Sequence, residues 1–317
     1  MNIQWFPGHM HLTRNAIGER VKTIDVVIEM VDARLPASSA NPMLRELLRA
    51  RPNLKVLNKA DLADPVRTQL WLDWYAQQQN TRAVAMDSHH SAPARALIEA
   101  CLTLAPHRGG MDKPMRVLIC GIPNVGKSTL INTMVGKRAA KAANEPGVTR
   151  QEQRYVLQDG FYLFDTPGVL WPRIIVAQSG YNLAAAGSIG RNAFDDELVA
   201  LELLAYLQRH YPQALQARYG VADNVSALAE MRDDALFEAI ARKRGALLPG
   251  NRINAQKAAE LILQDFRSGA LGRVTIETPE EFQQWLATGE RLDAERQLKK
   301  ELYQQERHKA YARKKRR

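Results

Sequence analysis

Gly121-Ile122-Pro123-Asn124-Val125-Gly126-Lys127-Ser128 lies between an apolar run, Met115–Cys120, and a helical pattern that opens at Lys127. Strand, loop, helix is the setting in which a loop of this spacing grips phosphate. Gly121 and Gly126 let the backbone bend, so that N–H groups from Asn124 through Val125, Gly126 and Lys127 to Ser128 and Thr129 face an anion. The helix dipole adds to the attraction. Lys127 would reach the β- and γ-phosphates of a nucleotide, and Ser128 would offer a hydroxyl to Mg²⁺. Chance produces the pattern in about one chain per hundred of this length, so its setting decides the reading.

A second element precedes the first. Asn58-Lys59-Ala60-Asp61 follows the short apolar run Leu54–Leu57. The Asp61 carboxylate would accept two hydrogen bonds from guanine N1 and N2, a pair that adenine does not offer. A wrong base would leave buried polar groups unpaired, which is how such a site discriminates. The Lys59 stem would lie along the base, and Asn58 would tie neighbouring loops together. Asp87-Ser88-His89, after the run Ala83–Met86, stands where a second base loop belongs, with a backbone N–H near Ser88 meeting guanine O6. G proteins usually carry the phosphate loop first and the base loop second. The inversion here implies a circularly permuted GTPase domain.

Asp165-Thr166-Pro167-Gly168 ends the run Phe161–Phe164. Asp165 would hold Mg²⁺ through water, and the Gly168 N–H would sense the γ-phosphate. Alone, an Asp-x-x-Gly match carries nothing, since chance gives about one per chain; its place after a strand and after the phosphate loop gives it weight. Between the two lies the polar stretch Gly136–Arg150, suited to a switch segment. Thr149 is its candidate second Mg²⁺ ligand, against the alternative of an ordinary loop threonine.

From about Thr23 to Gly168, apolar runs alternate with helical patterns, which implies an α/β fold with a mostly parallel sheet and crossover helices. Expected strands are Ile24–Val31, Leu54–Leu57, Ala83–Met86, Met115–Cys120, Arg154–Leu157 and Phe161–Phe164. After about Gly180 the spacing turns helical, through Glu197–Leu207, Ala227–Ile240, Ala255–Phe266 and Glu280–Leu286. Thr278-Pro279-Glu280-Glu281 reads as a capped helix start. The expected division is a GTPase domain over 1–178, a small all-α domain that binds RNA or the ribosome over 179–290, and a basic tail over 291–317, helical at first and frayed at its end. In a parallel sheet, ligands sit at the carboxyl edge whatever the chain order, so permutation preserves the site. It also makes the segment after Gly168 lead directly into the helical domain.

The 317 residues suffice for two cores. No apolar run approaches the roughly 18 residues of a membrane span, and the start lacks a signal-peptide pattern. With Cys101 and Cys120 the only cysteines, a disulfide framework is not expected. A soluble, cytoplasmic, monomeric protein without a membrane partner is the expectation. Net charge is +10. From Lys299 to Arg317 there are nine Lys/Arg against two Glu. That run is either a solubilising tail or a salt-sensitive arm for nucleic acid.

Trp5-Phe6-Pro7-Gly8-His9-Met10, Asp32-Ala33-Arg34-Leu35-Pro36, Asn58–Asp61, Gly121–Ser128 and Asp165–Gly168 with Val169-Leu170-Trp171-Pro172 occur in one fixed order. That order resembles the bacterial ribosome biogenesis GTPase A (YlqF) family and its mitochondrial relatives. The likeness continues through Gly250–Asn254 and Leu261–Gly272. It implies hydrolysis of GTP to GDP during late assembly of the large ribosomal subunit, with stimulation by the subunit. The implied partners are ribosomal RNA and ribosomal proteins of the large-subunit precursor. Many G proteins place a water-orienting glutamine after the Asp-x-x-Gly motif; Val169 stands there and cannot act. The resemblance therefore implies a displaced catalytic group, His9, whose unperturbed pKa lies near neutrality. The alternative is that Trp5, Phe6 and Pro7 anchor the terminus and His9 caps a loop. Asn124 resembles an asparagine that helps bind K⁺ in related GTPases, where K⁺ supplies positive charge.

Two other readings stand beside this one. In the first, an RNA-binding assembly factor uses GTP and GDP as conformational ligands with little turnover. In the second, a P-loop ATPase or metabolite kinase, Asn58–Asp61 has no explanation.

Overall fold

The computed structural model describes residues 17–48, 51–87, 93–135, 153–158, 160–168 and 170–315. The expectations for His9, Ser88, His89, Thr149 and Val169 fall outside these residues. Six short runs rich in β-branched and apolar residues pair into one sheet: β1 (Val26–Asp32), β2 (Asn53–Asn58), β3 (Thr81–Met86), β4 (Met115–Gly121), β5 (Gln153–Gln158) and β6 (Phe161–Asp165). Their order is β3-β2-β1-β4-β6-β5. Every pairing is parallel except that of β5 with β6. β1 is buried along its whole length, as expected of a central strand covered by helices on both faces.

Register brings the strand ends to a common edge. Asp32 lies opposite Asn58, Asn58 opposite Met86, Met30 opposite Gly121, and Ile119 opposite Asp165. The base loop, the phosphate loop and the Asp165 motif therefore open on one side of the sheet, at the carboxyl ends of the strands. The strand ending in the base loop precedes the strand ending in the phosphate loop, as the permuted reading requires. The covering helices are α1 (Pro42–Leu48), α2 (Pro65–Ala76), α3 (Pro93–Leu104) and α4 (Lys127–Val135). Asp64 caps α2 by accepting from Val66 N and Arg67 N, with Pro65 in the first turn.

The helical half comprises α5 (Ala177–Ala185), α6 (Asp196–His210), α7 (Pro212–Tyr219), α8 (Val225–Ala229), α9 (Asp233–Lys243), α10 (Ala255–Ser268) and α11 (Pro279–Lys315). The expected helix 227–240 is two helices, α8 and α9. Gln208 Nε2 donates to the Leu228 and Met231 carbonyls at the break. Asp233 and Asp234 open the next helix, where carboxylates meet a favourable dipole. α11 begins at the expected capping box: Thr278 N donates to Glu281 Oε2 and Glu281 N to Thr278 Oγ1. It then runs past residue 290 to Lys315 without a break. Its sequence after 290 holds neither Gly nor Pro and is mostly Arg, Lys, Glu, Gln, Leu and Ala, all good helix formers. Gly289 is required where α11 crosses the chain before α5, since a Cβ there would meet the Ile175 carbonyl oxygen at 2.7 Å. No described helix is long and apolar enough to cross a membrane.

The two halves are stitched together by buried polar groups. Glu277, fully buried, accepts from Ala37 N (2.6 Å), Ser38 N (3.0 Å), Ser38 Oγ and Asn182 Nδ2 (3.1 Å). Burial pushes its carboxyl up to about 7, against these donors, which pull it down. Backbone also crosses: Val274 N donates to the Leu62 carbonyl and Ile276 N to that of Arg34.

Candidate functional site

At the end of β2 the chain must turn sharply, and Lys59 does so in the left-handed region, φ 61°. This conformation is unfavourable for a residue with a Cβ, and the side chain is held in compensation. Lys59 Nζ donates to Asp32 Oδ2 (2.9 Å) and to the Asn124 carbonyl (3.0 Å). Asn58, buried, donates through Nδ2 to the Val125 carbonyl at 2.7 Å. Two adjacent base-loop residues thus bond directly to the phosphate loop, the tie expected of Asn58. Asp61 lies in the following 3-10 turn, Ala60–Leu62, and is exposed. Asp87 follows β3 and is half-buried.

The phosphate loop carries its own strain. Asn124 has φ 59° and Gly126 φ 100°. Gly121 admits no side chain, because a Cβ would meet the Met30 carbonyl oxygen at 2.8 Å. Val125 packs into the core, while Ser128 and Thr129 are half-buried in the first turn of α4. Lys127, nearly buried, forms an ion pair with Asp165. Gly168 lies so close to the loop that a Cβ would be 3.0 Å from Pro123 N and 3.1 Å from Pro123 Cα. The structure therefore brings Asn58, Lys59, Asn124–Thr129, Asp165 and Gly168 into one cleft edge.

The charges here are unevenly satisfied. Asp165 is fully buried, and its Oδ1 takes Lys127, yet Oδ2 has no hydrogen-bond partner among the described residues. Burial raises its pKa although Lys127 opposes the shift. A buried carboxylate oxygen without a donor among the described residues, and a serine hydroxyl next in sequence to the lysine that pairs with that carboxylate, are ligands of the hard oxygen type that suits Mg²⁺. Asn124 Nδ2 donates to the Gly187 carbonyl at 2.8 Å, tying the phosphate loop to the helical half.

Sequence reasoning gave Asp32 and Arg34 no role beyond family likeness, and the structure gives them one. Asp32 Oδ1 accepts from Arg34 Nε (2.9 Å), and Oδ2 accepts from Arg34 Nη2 (2.8 Å) and Lys59. Arg34 Nη1 donates to the Phe266 carbonyl at 2.9 Å, at the end of α10. Burial alone would raise the Asp32 pKa; the Arg34 guanidinium and the Lys59 ammonium reverse this and hold the carboxyl well below the usual range. Arg273 was also missed. It donates to the Ala63 and Ala60 carbonyls, clamping the turn that carries Asp61. A carboxylate and an arginine two residues apart at a strand end are the only sequence signal, and they do not name a partner distant in the chain.

A family profile described as 50S ribosome-binding GTPase matches residues 116–213. Ribosome biogenesis GTPase A of Bacillus cereus is 39% identical over 92% of this chain and 99% of its own length. The mouse mitochondrial ribosome-associated GTPase 1 is 31% identical over 86% of this chain and 90% of its own. The GNP-bound crystal structure of YlqF from T. maritima superposes with a TM-score of 0.60 at 26% identity, covering 84% of this chain and 98% of that one. The fold is that of a circularly permuted GTPase with a helical C-terminal region. With the two loop motifs in inverted order on one edge of the sheet and relatives matched along nearly their whole length, this chain belongs to the ribosome biogenesis GTPase A family and hydrolyses GTP in ribosome assembly.

Proposed function

We propose that the chain acts late in assembly of the large ribosomal subunit, in the cytoplasm and as a monomer, and that the subunit precursor stimulates its turnover. The observation that carries this reading is the direct bonding of the nucleotide loops to the helical half, through Asn124 to Gly187, Arg34 to Phe266 and Arg273 to the Asp61 turn. A contact that shifts the helical half thereby bears on both ends of the nucleotide. Two further supports are the profile described by 50S binding and the basic run at the end of the chain, which suits ribosomal RNA.

In this reading Asp61 pairs with the guanine edge, Lys59 lies along the ring, and Asn58 keeps the two loops in register. Asp87, Ser88 and His89 close the base pocket. The N–H groups of Asn124–Thr129 cradle the phosphates, and Lys127 leaves Asp165 to neutralise the β- and γ-phosphoryl charge. Ser128, Thr149 and Asp165 would hold Mg²⁺, whose chemistry is neutralisation of charge on the phosphoryl oxygens. Asn124 would hold K⁺ beside them. Gly168, packed on Pro123, offers its N–H to the γ-phosphate, and His9 orients the attacking water.

Phosphate release from GTP, measured alone and with separated small and large subunits, tests the proposal. Stimulation by the large subunit only is expected. Turnover unchanged by either subunit would favour the reading in which the nucleotide is a conformational ligand.

A further inference from the structure

The carboxylate of Asp32 has more to do than brace two halves of the molecule. Both of its oxygens are engaged, and Arg34 alone already supplies a bidentate partner for it. Yet Oδ2 is shared with Lys59 Nζ, on the loop that meets the base. Lys59 is a flexible four-carbon stem on a strained turn, and only 24% of its side chain is exposed. Its two named anchors are Asp32 and the Asn124 carbonyl. Remove the first, and of these two anchors one neutral carbonyl is left to hold an ammonium on a stem with much rotamer entropy to regain. The anchor is itself held from two further sides. Asp32 N donates to Ser39 Oγ at 2.9 Å, and the Arg34 guanidinium sits 4.7 Å over the Phe266 ring while donating to the Phe266 carbonyl.

We propose that Asp32 is a positioning residue for nucleotide recognition: its carboxylate stretches Lys59 along the plane the base occupies, and Arg34, docked on α10, fixes that carboxylate. This rests on the guanine reading of Asn58–Asp61 and adds a specific consequence. The stem of Lys59 meets the face of the base, whereas Asp61 meets its hydrogen-bonding edge. Loss of Asp32 therefore weakens all purine diphosphates with the same edge tolerance, while loss of Asp61 changes which base is preferred.

The test is a double-mutant cycle on the full chain, reading the Kd of a fluorescent GDP analogue and competition by unlabelled GDP and inosine diphosphate. Asp32→Asn is expected to raise the Kd about tenfold, with the ratio of GDP to inosine diphosphate affinity unchanged. In a Lys59→Met background, the same substitution is expected to have no further effect. Asp32→Asn binding as tightly as the unaltered chain, or an equal penalty with and without Lys59, would overturn the proposal. If Asp32→Asn does not fold, Asp32→Asn with Arg34→Met removes both buried charges together and is carried through the same cycle. The guanine reading fails separately: Asp61→Asn would then leave base preference untouched whatever Asp32 does.

Discussion

The base end and the phosphate end of the cleft are built on opposite plans. At the base end, Asn58 and Lys59 already hold the contacts that fix them, to Val125, Asn124 and Asp32. At the phosphate end, Lys127 is spent on Asp165, whose second oxygen lacks a donor among the described residues. In the proposed function, one end is ready for its ligand, and the other must exchange partners to receive it. Preorganised contacts are not reorganised on binding, so the base end suits selection. In the proposed reading, the exchange at Lys127 ties charge rearrangement to arrival of phosphate and metal.

Lys127→Ala attacks the exchanging end directly. It should lower kcat/KM for GTP by roughly a thousandfold, since the lysine acts on charge developing at the phosphoryl group. Phosphate-release kinetics with a loss below tenfold would mean that Lys127 is not the phosphate ligand. At the ready end, Asp61→Asn should weaken GDP by roughly a hundredfold and turn preference toward xanthosine nucleotides, because the amide can donate where the carboxylate could only accept. Competition binding with both diphosphates checks this, and an unchanged order of preference would contradict it.

Glu277 lies in the seam that joins the two halves. The folded chain keeps a proton on Glu277 up to about 7, which the unfolded chain releases near the ordinary value of 4.5. Between those values the folded state binds more protons. Its stability therefore falls as pH rises through the window and levels off above it. The change is about 3 kcal/mol for a shift of this size, and Glu277→Gln should remove it. Urea unfolding at pH 5 and pH 8 measures the slope; an equal slope in both proteins would clear Glu277.

Much of the site was legible because its motifs are local. A glycine loop between strand and helix, or Asn58–Asp61 after a strand, declares itself within ten residues. The strands were found for the same reason. What stayed hidden was non-local. Arg34 reaches Phe266 across more than two hundred positions, and nothing in either neighbourhood names the other. The pairing of charges inside strands is equally non-local: Glu29 of β1 and Lys55 of β2 form a buried pair. The break between α8 and α9 depends on Gln208 of another helix, and the length of α11 on the absence of any stop signal rather than the presence of a core.

α11 is 37 residues long, and the part beyond its crossing at Gly289 extends about 40 Å. The crossing point abuts Ile175, just downstream of the motif ending at Gly168. Such a rod, pivoting where it is pinned, multiplies angle into travel. A tilt of about 5° at the root sweeps the far tip through about 3 Å, as wide as a hydrogen bond is long.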